Sequence, residues 1–484
     1  MHAINRREFL KAAGAGAGLA ALARLAPAAE AGAAGKRPNV IVLLTDDQRG
    51  DTIAALGNPH IQTPNLDALV KRGFTFRQAY CQGGYSGAVC LPARQMILRG
   101  RSWFAPDFKA RWQEQNFPKT MNEAGYATFF LGKAGNNDTP VLKVFKSENF
   151  DDRKGAGVVP GQVMADGVIA YLQDWKKQRD SGAAAQPFFM HLAPPHPHDP
   201  RVAPKEFLDK YDAAKMPLPP NYLPFHPFDN GDMFTRDEKL LPWPRTEEAV
   251  RRELRDCYAD ITCLDAQIGR IFQTLKDVGE FDNTIFVFTG DQGVAIGSHG
   301  LMGKQNLYED SMKVPVIFAG PGVPQEKASD AFAYHFDIYP TICELTGAKM
   351  PQEIDGKSLV AVMQGKADGV RDAILLGYKG VQRAVRRGQW KFIRYPEVNK
   401  TQLFDLQADP REIKDLAGDP ARADKVKELM ALMAAEQKRF GDTLPLEVAN
   451  PKPAEVNLDF FSKPPQNVKP KGAKAKQKKS GGEP

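Results

Sequence analysis

The stretch Val40-Ile41-Val42-Leu43-Leu44-Thr45-Asp46-Asp47 decides the predicted fold class of this 484-residue chain. A continuous apolar run such as residues 40–45 is typical of a strand that is buried on both faces of a parallel sheet. Asp46 and Asp47 follow this strand directly, and two adjacent carboxylates are costly there because like charges raise each other's pKa. The stretch therefore predicts a central strand of an α/β sheet with a bound cation at its carboxyl end.

Three more apolar runs are each followed by polar groups: residues 127–131 before Lys133, residues 187–192 before His198, and residues 285–289 before Asp291 and Gln292. The glycine-rich loop after the last run continues to Lys304, and its glycines let backbone approach a ligand closely. Ligands of open α/β sheets bind outside the carboxyl ends of the strands. We therefore expect these side chains to converge with Asp46 and Asp47 at one edge of the sheet, in a single site that contains a hard cation.

Cys90-Leu91-Pro92-Ala93-Arg94 predicts the start of a short helix, with Pro92 in its first turn and Gly100 after its end. The backbone N–H groups and the dipole of such a helix favour an anion at position 90. Arg94 lies one turn further along the same face and could bind the same anion. Taken alone, a cysteine before a helix is more often a buried structural residue, so the residues by themselves leave both interpretations open.

The rest of the chain predicts a covering layer and a second, smaller unit. Residues 201–245 show no sustained period and predict a rim or lid. The apolar stripe of residues 246–278 predicts a long helix that covers the sheet, with a coiled coil as the alternative. Residues 381–395 predict a hairpin, and residues 422–440 an amphipathic helix. His191 lies inside a predicted strand and is interpreted as a core residue.

Composition excludes several classes of protein. The net charge of +7 comes from the ends, because residues 463–484 hold seven lysines and one glutamate and residues 1–31 hold four basic and two acidic side chains. The body of the chain is therefore close to neutral, which argues against nucleic acid as a partner. Five cysteines, two of them (Cys257 and Cys263) placed by the pattern on the buried stripe of the long helix, do not indicate a disulfide framework.

The first 31 residues predict an export signal. Asn5-Arg6-Arg7-Glu8-Phe9-Leu10-Lys11 looks like a twin-arginine motif, and the apolar run 12–23 is too short for a stable membrane span. The twin-arginine translocase is the expected partner, and periplasmic or secreted localisation follows. The tail, residues 451–484, is rich in Pro, Lys and Gly and is predicted to be disordered.

The pattern Cys90-x-Pro92-x-Arg94 resembles the signature of the type I, formylglycine-dependent sulfatases of the alkaline phosphatase-like superfamily. The resemblance extends from about Pro38 to about Pro410, with the further motifs in the expected order. It implies an alkaline phosphatase-like α/β sandwich, in which helices flank a large, mostly parallel sheet, plus a small C-terminal antiparallel sheet-and-helix subdomain. The implied boundaries are residues 36–367 for the catalytic domain and residues 368–450 for the subdomain.

The resemblance also implies roles for the site residues. The implied calcium ligands are Asp46, Asp47, Asp291 and Gln292 together with formylglycine. A formylglycine-generating enzyme makes this last group from Cys90. The family more often has Asn or His where Gln292 stands. Formylglycine and sulfate are held by three cationic side chains, those of Arg94, Lys133 and Lys304. His198 faces the leaving oxygen. The expected reaction is hydrolysis of a sulfate ester. The sub-patterns 198–201 and 297–301 resemble those of bacterial enzymes that act on sulfated sugars or related esters.

Two alternatives remain beside this interpretation. One is a phosphoester or phosphonate monoester hydrolase of the same superfamily, and the other is a weakened enzyme that binds sulfated glycans. One departure from the family pattern bears on them, because Gly135 stands where the family's Gly-Lys-Trp-His motif has a histidine that assists sulfate release. Asn136, Asn137 or His196 could take that place, or the release step could be slow.

Overall fold

A computed structural model of the chain describes residues 36–110, 113–151, 157–182 and 186–456. The predicted export signal (residues 1–31) and the part of the predicted tail beyond Val456 lie outside the described residues. No described helix is long and apolar enough to cross a membrane. The described residues from Pro38 onward form one compact unit.

The described residues form thirteen strands, which we number in chain order: β1 (Asn39–Thr45), β2 (Gly73–Tyr80), β3 (Gly83–Gly84), β4 (Ala127–Gly132), β5 (Ser147–Phe150), β6 (Phe188–Ala193), β7 (Thr284–Gly290), β8 (Val316–Ala319), β9 (Lys327–Tyr334), β10 (Ala373–Tyr378), β11 (Gln382–Arg387), β12 (Trp390–Tyr395) and β13 (Lys400–Asp405). The four apolar runs singled out in the sequence are β1, β4, β6 and β7, each within one residue of its predicted bounds.

Eight strands form the large sheet in the order β5-β4-β6-β1-β7-β8-β2-β9. Only β8 runs antiparallel to its neighbours, so the predicted mostly parallel sheet is confirmed. The register of β1 and β7 places Thr45 opposite Gly290. Asp46 and Asp291 are consequently adjacent where these two strands end.

Eleven α-helices occur in the described residues: α1 (Pro64–Arg72), α2 (Cys90–Arg99), α3 (Phe117–Glu123), α4 (Thr139–Leu142), α5 (Gln162–Asp180), α6 (Lys205–Leu208), α7 (Glu247–Asp277), α8 (Glu309–Met312), α9 (Ile338–Thr346), α10 (Val360–Met363) and α11 (Ala423–Phe440). The predicted long helix is α7, and Thr246 caps it by accepting a hydrogen bond from the backbone N–H of Ala249. Helix α2 begins at Cys90 and ends before Gly100, whose φ of 65° is the left-handed conformation that glycine favours, as predicted.

Both faces of the large sheet are covered, which explains why its strands are apolar without alternation. Ile41 and Leu43 of β1 pack with residues of α1, α5 and α7 on one face. Val40 and Val42 point to the other face, where α2, α9 and the small sheet lie in the same hydrophobic cluster. The long helix therefore covers the sheet, and the coiled-coil alternative is excluded.

The small sheet has the order β13-β12-β11-β10-β3, and its predicted hairpin is formed by β11 and β12. Strand β3 comes from far earlier in the chain and pairs in parallel with β10. Gly83 allows this pairing, because a Cβ at that position would lie 2.0 Å from the carbonyl oxygen of Gly377. The small sheet thus holds the segment that leads into Cys90.

Four further sequence expectations concern His191, the cysteines, residues 201–245 and the tail. His191 is buried and stacks on Phe130 in the core, and burial lowers its pKa to about 3. All five cysteines are buried and free of disulfides. Residues 201–245 contain only one short α-helix and short 3-10 helices. The beginning of the tail, residues 451–456, contacts the body through a hydrogen bond from the backbone N–H of Lys452 to the carbonyl oxygen of Glu397.

Candidate functional site

The carboxyl ends of β1 and β7 and the first turn of α2 meet at one buried cluster. Asp46 and Asp47 follow β1, Asp291 and Gln292 follow β7, and Cys90 is the first residue of α2. None of these five residues is more than 4% exposed. The structure therefore brings the predicted calcium ligands together.

Asp47 has an unusual backbone that contributes to this arrangement. Its φ of 64° lies in the left-handed region, which a non-glycine residue adopts at a cost of about 1–3 kcal/mol. Its backbone N–H donates to Asp291 Oδ1 at 3.0 Å, and its carboxylate accepts two hydrogen bonds of 2.8 Å from Lys304. The strained turn thus links the ends of β1 and β7.

The Cys90 thiol lies at the centre of the cluster. It donates to Asp46 Oδ1 at 3.1 Å and accepts from Lys304 Nζ at 3.2 Å and from Gln292 Nε2 at 3.1 Å. Burial, and then the charge of Asp46, raise the pKa of this thiol well above its usual value. Because the thiolate is the nucleophilic form of cysteine, an unmodified Cys90 is poorly suited to attack a substrate in this environment.

Three cations face the carboxylates. Lys133 Nζ donates to Asp46 Oδ2 at 2.5 Å, Lys304 binds Asp47, and Arg94 Nε donates to Asp291 Oδ2 at 3.1 Å. Burial alone would raise the pKa of Asp46, but Lys133 and Arg94 hold it well below its usual value. The predicted placement of Arg94 on the same helix face as Cys90 is therefore confirmed.

Asp291 is the least compensated carboxylate of the cluster. Burial, followed by the charge of Asp46, raises the pKa of Asp291 to about 7, although Arg94 acts in the opposite direction. A buried carboxyl group with such a pKa lies in an environment that lacks positive charge. An additional cation close to Asp46, Asp47 and Asp291 would remove this deficit.

The donor set fits a calcium ion. Asp46, Asp47, Cys90 and His198 each place one ligand atom within 4.8 Å of the others. Gln292 Oε1 is buried without a hydrogen-bond partner, and rotation of the amide would turn this oxygen toward the cluster. Three carboxylates and an amide oxygen are ligands that calcium prefers over zinc. The chemistry of these residues therefore agrees with the expected metal.

His198 lies between the cluster and solvent. Its Nε2 is 3.7 Å from Asp47 Oδ2, and its Nδ1 is 2.7 Å from the carbonyl oxygen of Asp199. The side chain is 17% exposed, in contrast to the fully buried residues below it. This is the position that a group must occupy if it is to contact both the cluster and a bound substrate.

A pocket of about 540 Å³ opens above the cluster. Its inner end is formed by Lys133, His198 and Lys304. These are the residues predicted to act on the substrate, with the exception of Arg94, which lies deeper. The other lining residues are Gly87, Ala88, Asn136, Pro195, His196, Asp199, Pro200, Val202, Asp232, Thr235, Arg236, Asp237, Gln305 and Lys379. The pocket is large enough for a small polar substrate.

Sequence reasoning missed the charged residues of the outer pocket. Asp232, Arg236 and Asp237 belong to the irregular stretch 201–245, and Lys379 follows β10 in the small sheet. None of them follows an apolar strand of the large sheet, which was the signal used to find the others. The only sequence hint was the expectation that residues 201–245 form a rim, and their place in the pocket wall agrees with it.

The structure leaves space where the family histidine is missing. A Cβ at Gly135 would have no other atom within 4 Å. Asn136 lines the pocket, whereas Asn137 donates to the carbonyl oxygen of Lys133. His196 is buried, with its Nδ1 3.6 Å from Asp260 Oδ2. Of the candidate replacements, Asn136 and His196 are the ones that reach the pocket.

Comparisons with known proteins agree with this geometry. The family model "Sulfatase" matches residues 38–348, and a model for the C-terminal part of N-sulphoglucosamine sulphohydrolase matches residues 297–439. An N-acetylglucosamine-6-O-sulfatase of Bacteroides thetaiotaomicron is 27% identical, with 85% of this chain and 88% of the relative covered.

Two solved structures resemble the fold. A protein in complex with its substrate D-glucosamine-2-N,6-O-disulfate is 24% identical with a TM-score of 0.70, and the match covers 85% of this chain and 100% of the other. A phosphonate monoester hydrolase from Silicibacter pomeroyi is 23% identical with a TM-score of 0.67, over 84% and 96% of the two chains. The expected fold class is thereby confirmed.

Proposed function

Because the chain belongs to the sulfatase family and is a sulfuric ester hydrolase, we propose that it cleaves a sulfate ester of a carbohydrate. The reaction uses formylglycine made from Cys90 and a bound calcium ion. The observation that carries the proposal is the environment of Cys90. Three carboxylates, an amide and three cations surround a thiol whose raised pKa disfavours the nucleophilic thiolate form.

The chain's own residues would bind the sulfate group and hold the nucleophile. When formed, the hydrated aldehyde supplies the attacking hydroxyl and calcium supplies positive charge at the sulfuryl oxygens. Asp46, Asp47, Asp291 and Gln292 would hold the metal. Arg94 Nη1 is buried without a hydrogen-bond partner, so it can orient the group at position 90. Lys133 and Lys304 reach the same space from the pocket and would bind the sulfuryl oxygens.

His198 would protonate the leaving alcohol. Its Nδ1 is held by the backbone of Asp199, which leaves Nε2 directed at the cluster, 3.7 Å from Asp47. A positioned acid of this kind contributes about 10²–10⁴-fold in rate. Lys304 lies beside the same carboxylate and would assist by stabilising the developing negative charge.

Carbohydrate is the substrate class that the relatives support, since one is named for N-acetylglucosamine-6-O-sulfate chemistry and another was solved with a disulfated glucosamine. The polar pocket lining agrees with such a substrate. We also propose periplasmic or secreted localisation by twin-arginine export, which rests on the motif at residues 5–11.

A phosphonate or phosphate monoester hydrolase is the second candidate, because the fold resembles a phosphonate monoester hydrolase. Peptide mass spectrometry of the purified protein decides whether residue 90 carries formylglycine. Turnover of 4-nitrophenyl sulfate, 4-nitrophenyl phosphate and a phosphonate monoester by the same preparation then ranks the two activities. A screen of sulfated mono- and disaccharides identifies the sugar, and a higher kcat/KM for the phosphorus esters would refute the sulfatase proposal.

A further inference from the structure

The outer pocket contains an ion pair that joins two distant parts of the chain. Asp232 lies in the irregular stretch, and its Oδ2 accepts hydrogen bonds from Lys379 Nζ at 2.6 Å and from the Tyr378 hydroxyl at 2.7 Å. Both Asp232 and Lys379 line the pocket, with side chains 25% and 36% exposed. A substrate that enters the pocket therefore meets a carboxylate and an ammonium group side by side.

This pair stands next to the segment that leads into Cys90. A Cβ at Gly87 would lie 3.5 Å from Lys379 Nζ and 3.7 Å from the Tyr378 hydroxyl. Because position 87 carries no side chain, nothing there separates the pair from the pocket. Lys379 and Asp232 line the same pocket as Lys133, His198 and Lys304, so the alcohol part of an ester whose sulfate is at Cys90 would extend toward the pair.

The other outer charges belong to a second ion pair. Arg236 binds both carboxylate oxygens of Asp199 and donates to Asp237 Oδ1 at 3.0 Å. The other carboxylate oxygen of Asp237, Oδ2, accepts a hydrogen bond from Gln305 Nε2 at 2.7 Å. The single positive charge of this guanidinium is thus paired with two carboxylates, so the group of three carries one net negative charge.

The charge of the outer wall is consequently negative. Two cations, Arg236 and Lys379, face three carboxylates, Asp199, Asp232 and Asp237. Lys133 and Lys304 are bound at 2.5 and 2.8 Å to the carboxylates of the cluster below, and Lys304 Nζ is more distant, at 3.8 Å, from Asp237 Oδ2. No phenylalanine, tyrosine or tryptophan is among the described residues that line the pocket. The wall therefore offers neither a stacking surface for an aryl group nor an aromatic cage for a quaternary ammonium group.

We propose that Asp232, held by Lys379 and Tyr378, is a specificity-determining residue that selects a neutral, hydroxyl-rich alcohol carrying a single sulfate and disfavours substrates with a second anionic group. A carboxylate beside an ammonium matches two neighbouring hydroxyl groups, because one hydroxyl donates to Asp232 and the other accepts from Lys379. A second sulfate or carboxylate would instead approach a wall of net charge −1. This inference rests on the sulfatase function proposed above.

A charge-matched substrate series tests the inference without knowledge of the natural sugar. We would measure kcat/KM for three aryl monosulfates that carry a neutral, a carboxylate or a trimethylammonium group at the same ring position. The wild type is expected to prefer the neutral ester over the carboxylate ester by about tenfold. This is the effect of repulsion between two unit charges roughly 6 Å apart at an effective dielectric constant of about 40. A hexose monosulfate and the same hexose with a second sulfate form the corresponding sugar pair.

The variant Asp232→Asn removes the charge and keeps the shape, so it should reduce the preference for the neutral over the carboxylate ester about tenfold. Lys379→Met makes the wall more negative and should increase that preference, which provides a second variant if the first one folds poorly. Asp174→Asn, an exposed substitution on α5, is the matched control and should leave the ratio unchanged. A merely structural pair would change stability and kcat but not the ratio between the esters.

An unchanged ratio in Asp232→Asn, or a wild type that prefers the anionic ester, would overturn the inference while leaving the sulfatase function intact. Failure of the proposed function looks different, because the wild type with modified residue 90 would then hydrolyse none of the three esters. In that case both proposals fall together.

Discussion

Two charge clusters lie only two residues apart along the chain, at Asp47 and Arg49, and behave differently. The site cluster contains Asp46, Asp47 and Asp291 with Lys133, Lys304 and Arg94. The second, which we call the anchor cluster, contains Arg49, Asp51, Asp310 and Arg411. In the anchor cluster Arg49 donates to Asp51 at 2.9 and 2.8 Å and to Asp310 at 2.7 Å, and Arg411 donates to the same two carboxylates.

The pKa values show what the difference means. Burial opposes ionisation in both clusters, yet Arg49 and Arg411 hold the pKa of Asp51 below its usual value, and that of Asp310 is lowered as well. Asp291 of the site cluster has its pKa raised to about 7. Forked guanidinium groups satisfy the anchor carboxylates, whereas the site retains a carboxylate that needs another cation. A divalent ion there would also leave surplus positive charge for an anionic ester.

The largest expected effect comes from Cys90→Ala. Turnover of an aryl sulfate should fall by roughly 10⁴-fold or more, because the variant lacks the group from which the nucleophile is formed. The fold and most calcium binding should remain, since four proposed ligands are unchanged. Circular dichroism and calcium titration serve as controls. Turnover close to that of the wild type would refute the central proposal.

The next effect contrasts one aspartate from each cluster. Asp291→Ala should abolish activity and lower the melting temperature in calcium, and a chelator should affect the wild type in the same way. Asp310→Ala should lower the free energy of unfolding by about 3–5 kcal/mol, since the buried guanidinium of Arg49 loses its buried partner and keeps only the more exposed Asp51. This loss should not depend on chelator. Equal melting temperatures of the wild type with and without chelator would contradict the calcium site.

A smaller effect is expected from Gly135→His. With glycine at position 135, the wild type should release alcohol in a burst and sulfate slowly, because a lost general base costs about 10²–10⁴-fold. The open space around this position accepts the new side chain, and the slow phase should accelerate. Pre-steady-state measurement of both products checks this. Equal release rates in the wild type from the first turnover would show that another group, such as His196, already replaces the histidine.

The smallest effect concerns pH and stability outside both clusters. Burial lowers the pKa of His191 to about 3, so the unfolded chain binds a proton below pH 6.5 that the folded chain does not. The stabilising contribution is therefore complete above pH 6.5 and declines as the pH falls toward 3, by about 1.4 kcal/mol per pH unit. His191→Phe should remove that dependence in denaturant titrations at pH 6.5 and 5.5. The exposed His60→Gln is the control, and an identical pH slope in His191→Phe and the wild type would contradict the prediction.

The inner site was predictable because local sequence determined it. An apolar run that must be buried on both faces identifies a central parallel strand, and parallel strands end at a common edge, so the residues after β1, β4, β6 and β7 had to approach one another. The start of α2 was equally local, since proline and glycine marked its two ends. The convergence of Asp46, Lys133 and Asp291 followed without any knowledge of tertiary contacts.

The outer pocket was not predictable for the opposite reason. Asp232 lies in a stretch without periodicity, and its partner Lys379 is distant in the chain, so their contact depends on how the small sheet packs. The same holds for β3, a strand of two glycines that no propensity would identify. Positions of this kind are decided by tertiary packing, and the sequence contains no local pattern for them.

The pairing of β3 with β10 also imposes an order of events during protein synthesis. Gly83 and Gly84 pair with Gly377 and Tyr378, so the segment before Cys90 lacks its partner strand until the ribosome has translated past Tyr378 and that strand has left the exit tunnel. Cys90 is fully buried once folding is complete. If formylglycine is made from Cys90 as proposed, the modifying enzyme would have to act on the nascent or newly released chain, and the late position of β10 would lengthen the interval in which it can do so.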